Sequence, residues 1–125
     1  MSEAQTHPAV IEAILLMDSR HTRNGLRSQT VTGEWTRLYR VGPYYLDLTL
    51  KSEGQSAVLL GQFLQETSDS SMPKGMATLH LQGQTLVSAP IGVMGEFRLP
   101  VSQRGPYQLM IGLPQQTITV SPLEI

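Results

Sequence analysis

Apolar and polar residues alternate one for one in a series of short runs along this chain, separated by Gly, Pro, Asn and Ser clusters about 8 to 12 residues apart. Successive side chains of an extended strand point to opposite faces, so each run can bury one face and wet the other. A helix would need apolar residues three and four apart, and most of the runs lack that spacing. The pattern predicts an all-β chain, an antiparallel β-sandwich of about seven to nine strands.

The runs assign faces residue by residue. In "YYLDLTLKSEG", Tyr44, Leu46, Leu48 and Leu50 share one face, and Tyr45, Asp47, Thr49 and Lys51 the other. In "MATLHLQG", Ala77, Leu79 and Leu81 are expected inward, with Thr78, His80 and Gln82 outward. Phe97, Leu99 and Val101 alternate with Glu96, Arg98 and Ser102; after the turn "SQRGP", Tyr107, Leu109, Ile111 and Leu113 resume the apolar face. These two runs are predicted to pair as an antiparallel hairpin. Pro100 lacks an N–H, which puts its strand at a sheet edge, or at a bulge or unpaired position. Ile118 and Val120 are the inward residues of the last run, where Pro122 is expected to stop the pairing.

Two segments are less regular. "AVLLGQFLQE" is apolar on both faces, which reads as a central strand covered on both sides. "AVIEAILLMDSR" fits a helical stripe through Val10, Ile11, Ile14 and Leu15, and a strand through Ile11, Ala13, Leu15 and Met17. Its β-branched residues and the turn-like "DSRHTRNG" favour the strand, which could cover the second face of the Leu60 strand. The stretches from Ser19 to Gly33 and from Glu66 to Gly75 read as exposed loops, and residues 1–8 as a flexible N-terminus.

The 125 residues suffice for one domain, 1–125, with a core of its own. A net charge of −1 offers no basic field for nucleic acid or an anionic membrane surface. No cysteine is present, which excludes disulfides, thiolate metal sites and a cysteine nucleophile. The apolar run from Ala9 to Met17 follows a leader without Lys or Arg, carries Glu12, and falls far short of the ~20 residues of a membrane span. The expectation is a soluble chain, cytoplasmic or excised from a longer protein.

Catalytic patterns are weak. His7, His21 and His80 are scattered, so neither a metal nor another cofactor is expected. No G-x-S-x-G elbow occurs, and "GVMGEF" lacks the Lys and the helix of a phosphate loop. Asp47 has Lys51 four positions on, on the same face, which suits a solvated surface pair. Recognition is better represented. "EWTRLYRVGPYY" gathers Trp35, Arg37, Tyr39, Arg40 and Tyr45, residue types that anchor protein interfaces. Trp35 and Tyr39 suit core packing as well as a binding face, and Arg37, Arg40 and Tyr45 are the members expected to be exposed.

From Leu59 onward the chain resembles the carboxypeptidase regulatory-like domain, a transthyretin-like β-sandwich. The landmarks are Leu59, Gly61 and Phe63; Pro73; Ala77, Leu79 and Leu81; Gly95, Glu96 and Phe97; and Gly105, Tyr107 and Leu109. The N-terminal half more weakly resembles the segment that precedes such sandwiches in bacterial anti-sigma proteins with a zinc-binding module. Its landmarks are Asp18 and Ser19, Gly25 to Ser28, and Arg37 to Tyr39 with Gly42; the zinc module itself has no counterpart here. The resemblance implies a non-catalytic accessory or binding module, with bacterial regulation as one setting. Its partner would be a protein or a second copy joined at a strand edge, with "YLDLTLK" and "TITVSPLEI" as candidate edges. Two other readings stay open. One is a transthyretin-like hydrolase of purine degradation, disfavoured by the missing His and Arg landmarks and by the ending "SPLEI". The other is a filament subunit built by strand pairing.

Overall fold

A computed structural model describes residues 9–19, 34–65, 74–114 and 116–125. They form ten strands and no helix: β1 (Ala9–Glu12), β2 (Ile14–Asp18), β3 (Trp35–Val41), β4 (Tyr44–Glu53), β5 (Ser56–Gln65), β6 (Met76–Leu81), β7 (Gln84–Pro90), β8 (Glu96–Val101), β9 (Pro106–Gly112) and β10 (Gln116–Glu124). Two five-stranded sheets result, one in the order β1-β10-β9-β6-β7 and the other β2-β3-β4-β5-β8. The expected N-terminus 1–8 and most of both expected loops lie outside the described residues, as do His7, His21 and Pro73.

The sheets are layered by alternation. Ala77, Leu79, Tyr107, Leu109, Ile111, Ile118, Val120 and Leu123 of the first sheet meet residues from four strands of the second. Those are Trp35, Tyr39 and Val41 of β3, Leu46, Leu48 and Leu50 of β4, Leu59 and Phe63 of β5, and Phe97, Leu99 and Val101 of β8. Burying two apolar faces against each other is the dominant stabilising contribution of such a fold. Gly61 lies within this layer, opposite Phe97 in register, and a side chain there would enter the Phe97 ring. The glycine is needed because the aromatic ring occupies its side-chain space.

Hairpins join β3 to β4, β4 to β5 and β6 to β7 through two-residue turns at 42–43, 54–55 and 82–83. The expected hairpin between β8 and β9 does not form. β8 pairs with β5, whereas β9 lies between β6 and β10, so residues 102–105 cross from one sheet to the other. Alternation fixes which face each strand buries; an arch and a hairpin satisfy it equally. The crossing is braced by the Tyr107 hydroxyl, which donates to the Gln103 carbonyl at 2.8 Å.

Four further expectations are corrected. The N-terminal run breaks at Ala13 into two edge strands, β1 parallel to β10 and β2 antiparallel to β3, which raises the strand count to ten. It therefore does not cover the Leu60 strand, whose outer face leaves Leu64 43 % exposed. Pro122 does not end the last strand: the register slips between Val120 and Leu123, then pairing resumes at Leu123 with Tyr107. Nor are "YLDLTLK" and "TITVSPLEI" edges, since β4 is the middle strand of its sheet and β10 has a neighbour on each side. The edge expected from Pro100 is present, as β8 closes the second sheet. Gly95 takes φ 84° in the turn before β8, a backbone conformation open to glycine at little cost.

Candidate functional site

The stretch that gathers the aromatic and arginine residues is divided by the pleat of β3. Trp35, Arg37, Tyr39 and Val41 point between the sheets, while Thr36, Leu38 and Arg40 point outward. Trp35 and Tyr39 belong to the core. Arg37, expected at the surface, is buried: its Nε donates to Asp18 Oδ2 at 3.0 Å, and its guanidinium lies 4.3 Å from the centre of the Trp35 ring. The Asp18 carboxylate and the indole compensate that charge in a dry setting, and removal of either ionic partner would leave the other charge buried. These three residues hold β2 to β3 and are not available to a partner. Arg40 and Tyr45 do reach the outer face, where Arg40 Nη1 donates to the Tyr45 hydroxyl at 3.1 Å and the guanidinium sits 5.4 Å from the ring centre.

Register shows what surrounds that pair. Ile14 of β2 lies opposite Arg40, Arg40 opposite Tyr45, and Tyr45 opposite Leu64 of β5. The ladder between β5 and β8 continues into the turn, where the Phe63 amide donates to the Gly95 carbonyl and Gln62 Nε2 to the Met94 carbonyl. Met94 lies in the turn that precedes β8, with its backbone carbonyl held by the Gln62 side chain. The next row carries Met17, Leu38, Asp47, Gln62 and Glu96. Ile14, Met17, Leu64 and Met94 are exposed by 62 %, 60 %, 43 % and 71 %. The result is an apolar stripe running across β2, β3, β4 and β5 at one end of the outer face, with Arg40 and Tyr45 at its middle and exposed Met94 in the neighbouring turn.

The opposite outer face differs in kind. Thr78 and Ser88, His80 and Thr85, and Gln108 and Thr119 are hydrogen-bonded across its strands, with Val10, Met76, Leu86 and Met110 as apolar exceptions. Beyond the stripe, a shallow groove of about 770 Å³ is lined by Asp47, Thr49, Lys51, Gln62, Glu96 and Arg98 among others. Among the described residues its lining has no histidine and so no hydroxyl-histidine pair from which a nucleophile could be made. Among the described residues, no three His, Cys, Asp or Glu side chains converge on a point that could hold a metal ion.

Ile14, Met17, Leu38, Leu64 and Met94 escaped the sequence reading as members of a site. The available signal was an apolar residue in the outward phase of a strand, as at Leu38 and Leu64. Comparison with protein-family models, curated proteins and solved structures finds no match to this chain.

Proposed function

We propose that the chain is a non-catalytic binding module that docks a protein on the outer face of its second sheet. The observation that carries this reading is the stripe Ile14–Arg40–Tyr45–Leu64, where exposed apolar side chains flank a stacked Arg–Tyr pair. Interfaces concentrate affinity in Tyr and Arg anchors ringed by apolar contacts that exclude water. The finer assignment to a transthyretin-like, carboxypeptidase regulatory-like domain belongs to the same proposal. The alternation and glycine landmarks from Leu59 to Leu109 support it, and so does the place of Gly61 against Phe97. An accessory role in bacterial regulation follows from the weaker N-terminal resemblance.

The test is retention of proteins from an extract of the source cells by the immobilised chain. The wild type is expected to retain a partner, and Tyr45→Ala and Leu64→Ser chains of unchanged circular dichroism to retain at least about tenfold less. Equal retention by all three, or none by the wild type, refutes docking at this face. Strand addition at β2 is a second reading, favoured by Leu15 and Leu16, which stand 44 % and 46 % exposed on a strand that closes its sheet.

A further inference from the structure

The charges within the stripe are arranged asymmetrically, and that arrangement names an occupant. Arg40 is bonded to the Tyr45 hydroxyl and stacked on its ring, and no carboxylate contacts it among the described residues. Asp47 accepts a hydrogen bond from the Thr49 hydroxyl at 3.3 Å, and no cation contacts it there. The two charges stand on neighbouring strands one row apart, because Arg40 is opposite Tyr45 while Leu38 is opposite Asp47. Around them lie Ile14, Met17, Leu38 and Leu64. Of the other outward charges of this sheet, Glu96 stands in the row of Asp47 on the far side of Gln62, Arg98 pairs with Glu53 at 3.0 Å, and Lys51 lies two positions beyond Thr49.

We propose that a second copy of this chain occupies the stripe, face to face about a two-fold axis, with each Arg40 set against the other copy's Asp47. This rests on the docking reading above and gives the partner its identity. Arg40 and Asp47, offset by one row beside apolar side chains, are self-complementary under a two-fold axis lying between the faces, and Glu96 lies two strands from Asp47 along its row. A single surface then supplies both halves of two identical ion pairs. The apolar row contributes affinity by losing water, and the paired charges fix the register and discriminate against other faces. A net charge of −1 adds little long-range repulsion between copies.

Sedimentation velocity of the full chain from about 1 µM to about 500 µM tests this, a range that spans dissociation constants of weak to moderate dimers. The wild type is expected to pass from monomer to dimer and stop there. Arg40→Asp places two carboxylates face to face, and Asp47→Arg two guanidinium groups. Each is expected to weaken the dimer at least about tenfold, and the double reversal Arg40→Asp/Asp47→Arg to restore it. If a reversal fails to fold, Leu64→Lys, at an exposed position of the same row, is expected to leave a folded monomer. A wild type monomeric throughout, assembly beyond two copies, single reversals that dimerise like the wild type, a folded double reversal that stays monomeric, or a dimeric Leu64→Lys chain each overturns the proposal. A monomeric wild type leaves the docking reading standing, because the Tyr45→Ala retention experiment judges that separately.

Discussion

Tyr107 combines a buried ring with a hydroxyl held by the carbonyl that turns the chain between the sheets. Burial disfavours the phenolate and raises the group above its ordinary value of 10.0. The folded state therefore holds this proton more tightly than the unfolded state. Its contribution to stability is complete below the unfolded value and is lost as pH rises through the folded one. Urea unfolding from about pH 8 to about pH 11 is expected to show stability falling on the alkaline side, and Tyr107→Phe to flatten that limb. The same variant is expected to lose about 1 kcal/mol at neutral pH with the hydrogen bond. An alkaline limb unchanged in Tyr107→Phe would assign the loss to other groups. Single residues were partly legible in the sequence. The phase of "WTRLY" puts Arg37 in line with Trp35 and Tyr39, but only the approach of Asp18 from a distant strand makes a buried guanidinium tolerable.

Among the strands, the turn between β6 and β7 carries a local conflict. Gln82 adopts φ 53° and Gly83 φ 83°, the pair of positive values that a type I′ hairpin requires. Glutamine enters that conformation at a cost, whereas asparagine is favoured at the first position of such a turn. Gln82→Asn is expected to stabilise the chain by about 0.5 kcal/mol in urea unfolding, and a decrease would contradict this view of the turn. Strands were the most legible elements because a two-residue period is a local property of the chain. Their neighbours were not. Edge and central strands can show the same alternation, as β4 does, and an arch after Val101 buries the same residues as a hairpin would.

For the molecule as a whole, stability depends on one layer shared by both sheets. Leu109 has no exposed surface and faces that layer from β9. Leu109→Asp removes about 2 to 5 kcal/mol of packing and adds an unpaired charge, against a total of about 5 to 15 kcal/mol for a domain. The cooperative unfolding transition is expected to vanish from circular dichroism, whereas Leu64→Asp, on the exposed stripe, is expected to shift it by no more than about 0.5 kcal/mol. Loss of the transition in both variants would make Leu64 a core residue. The sequence by itself determined the all-β class, the inward faces of β4, β6, β8, β9 and β10, and the edge position implied by Pro100. Each of these follows from neighbours along the chain and the geometry of an extended backbone. Only the tertiary structure decided which strands adjoin, that Ala13 divides an N-terminal strand between two sheets, and that Ile14, Arg40, Tyr45 and Leu64 form one row. A row across a sheet is assembled by the register of four separate strands, and register arises from long-range hydrogen bonding and core packing that no local run of residues encodes.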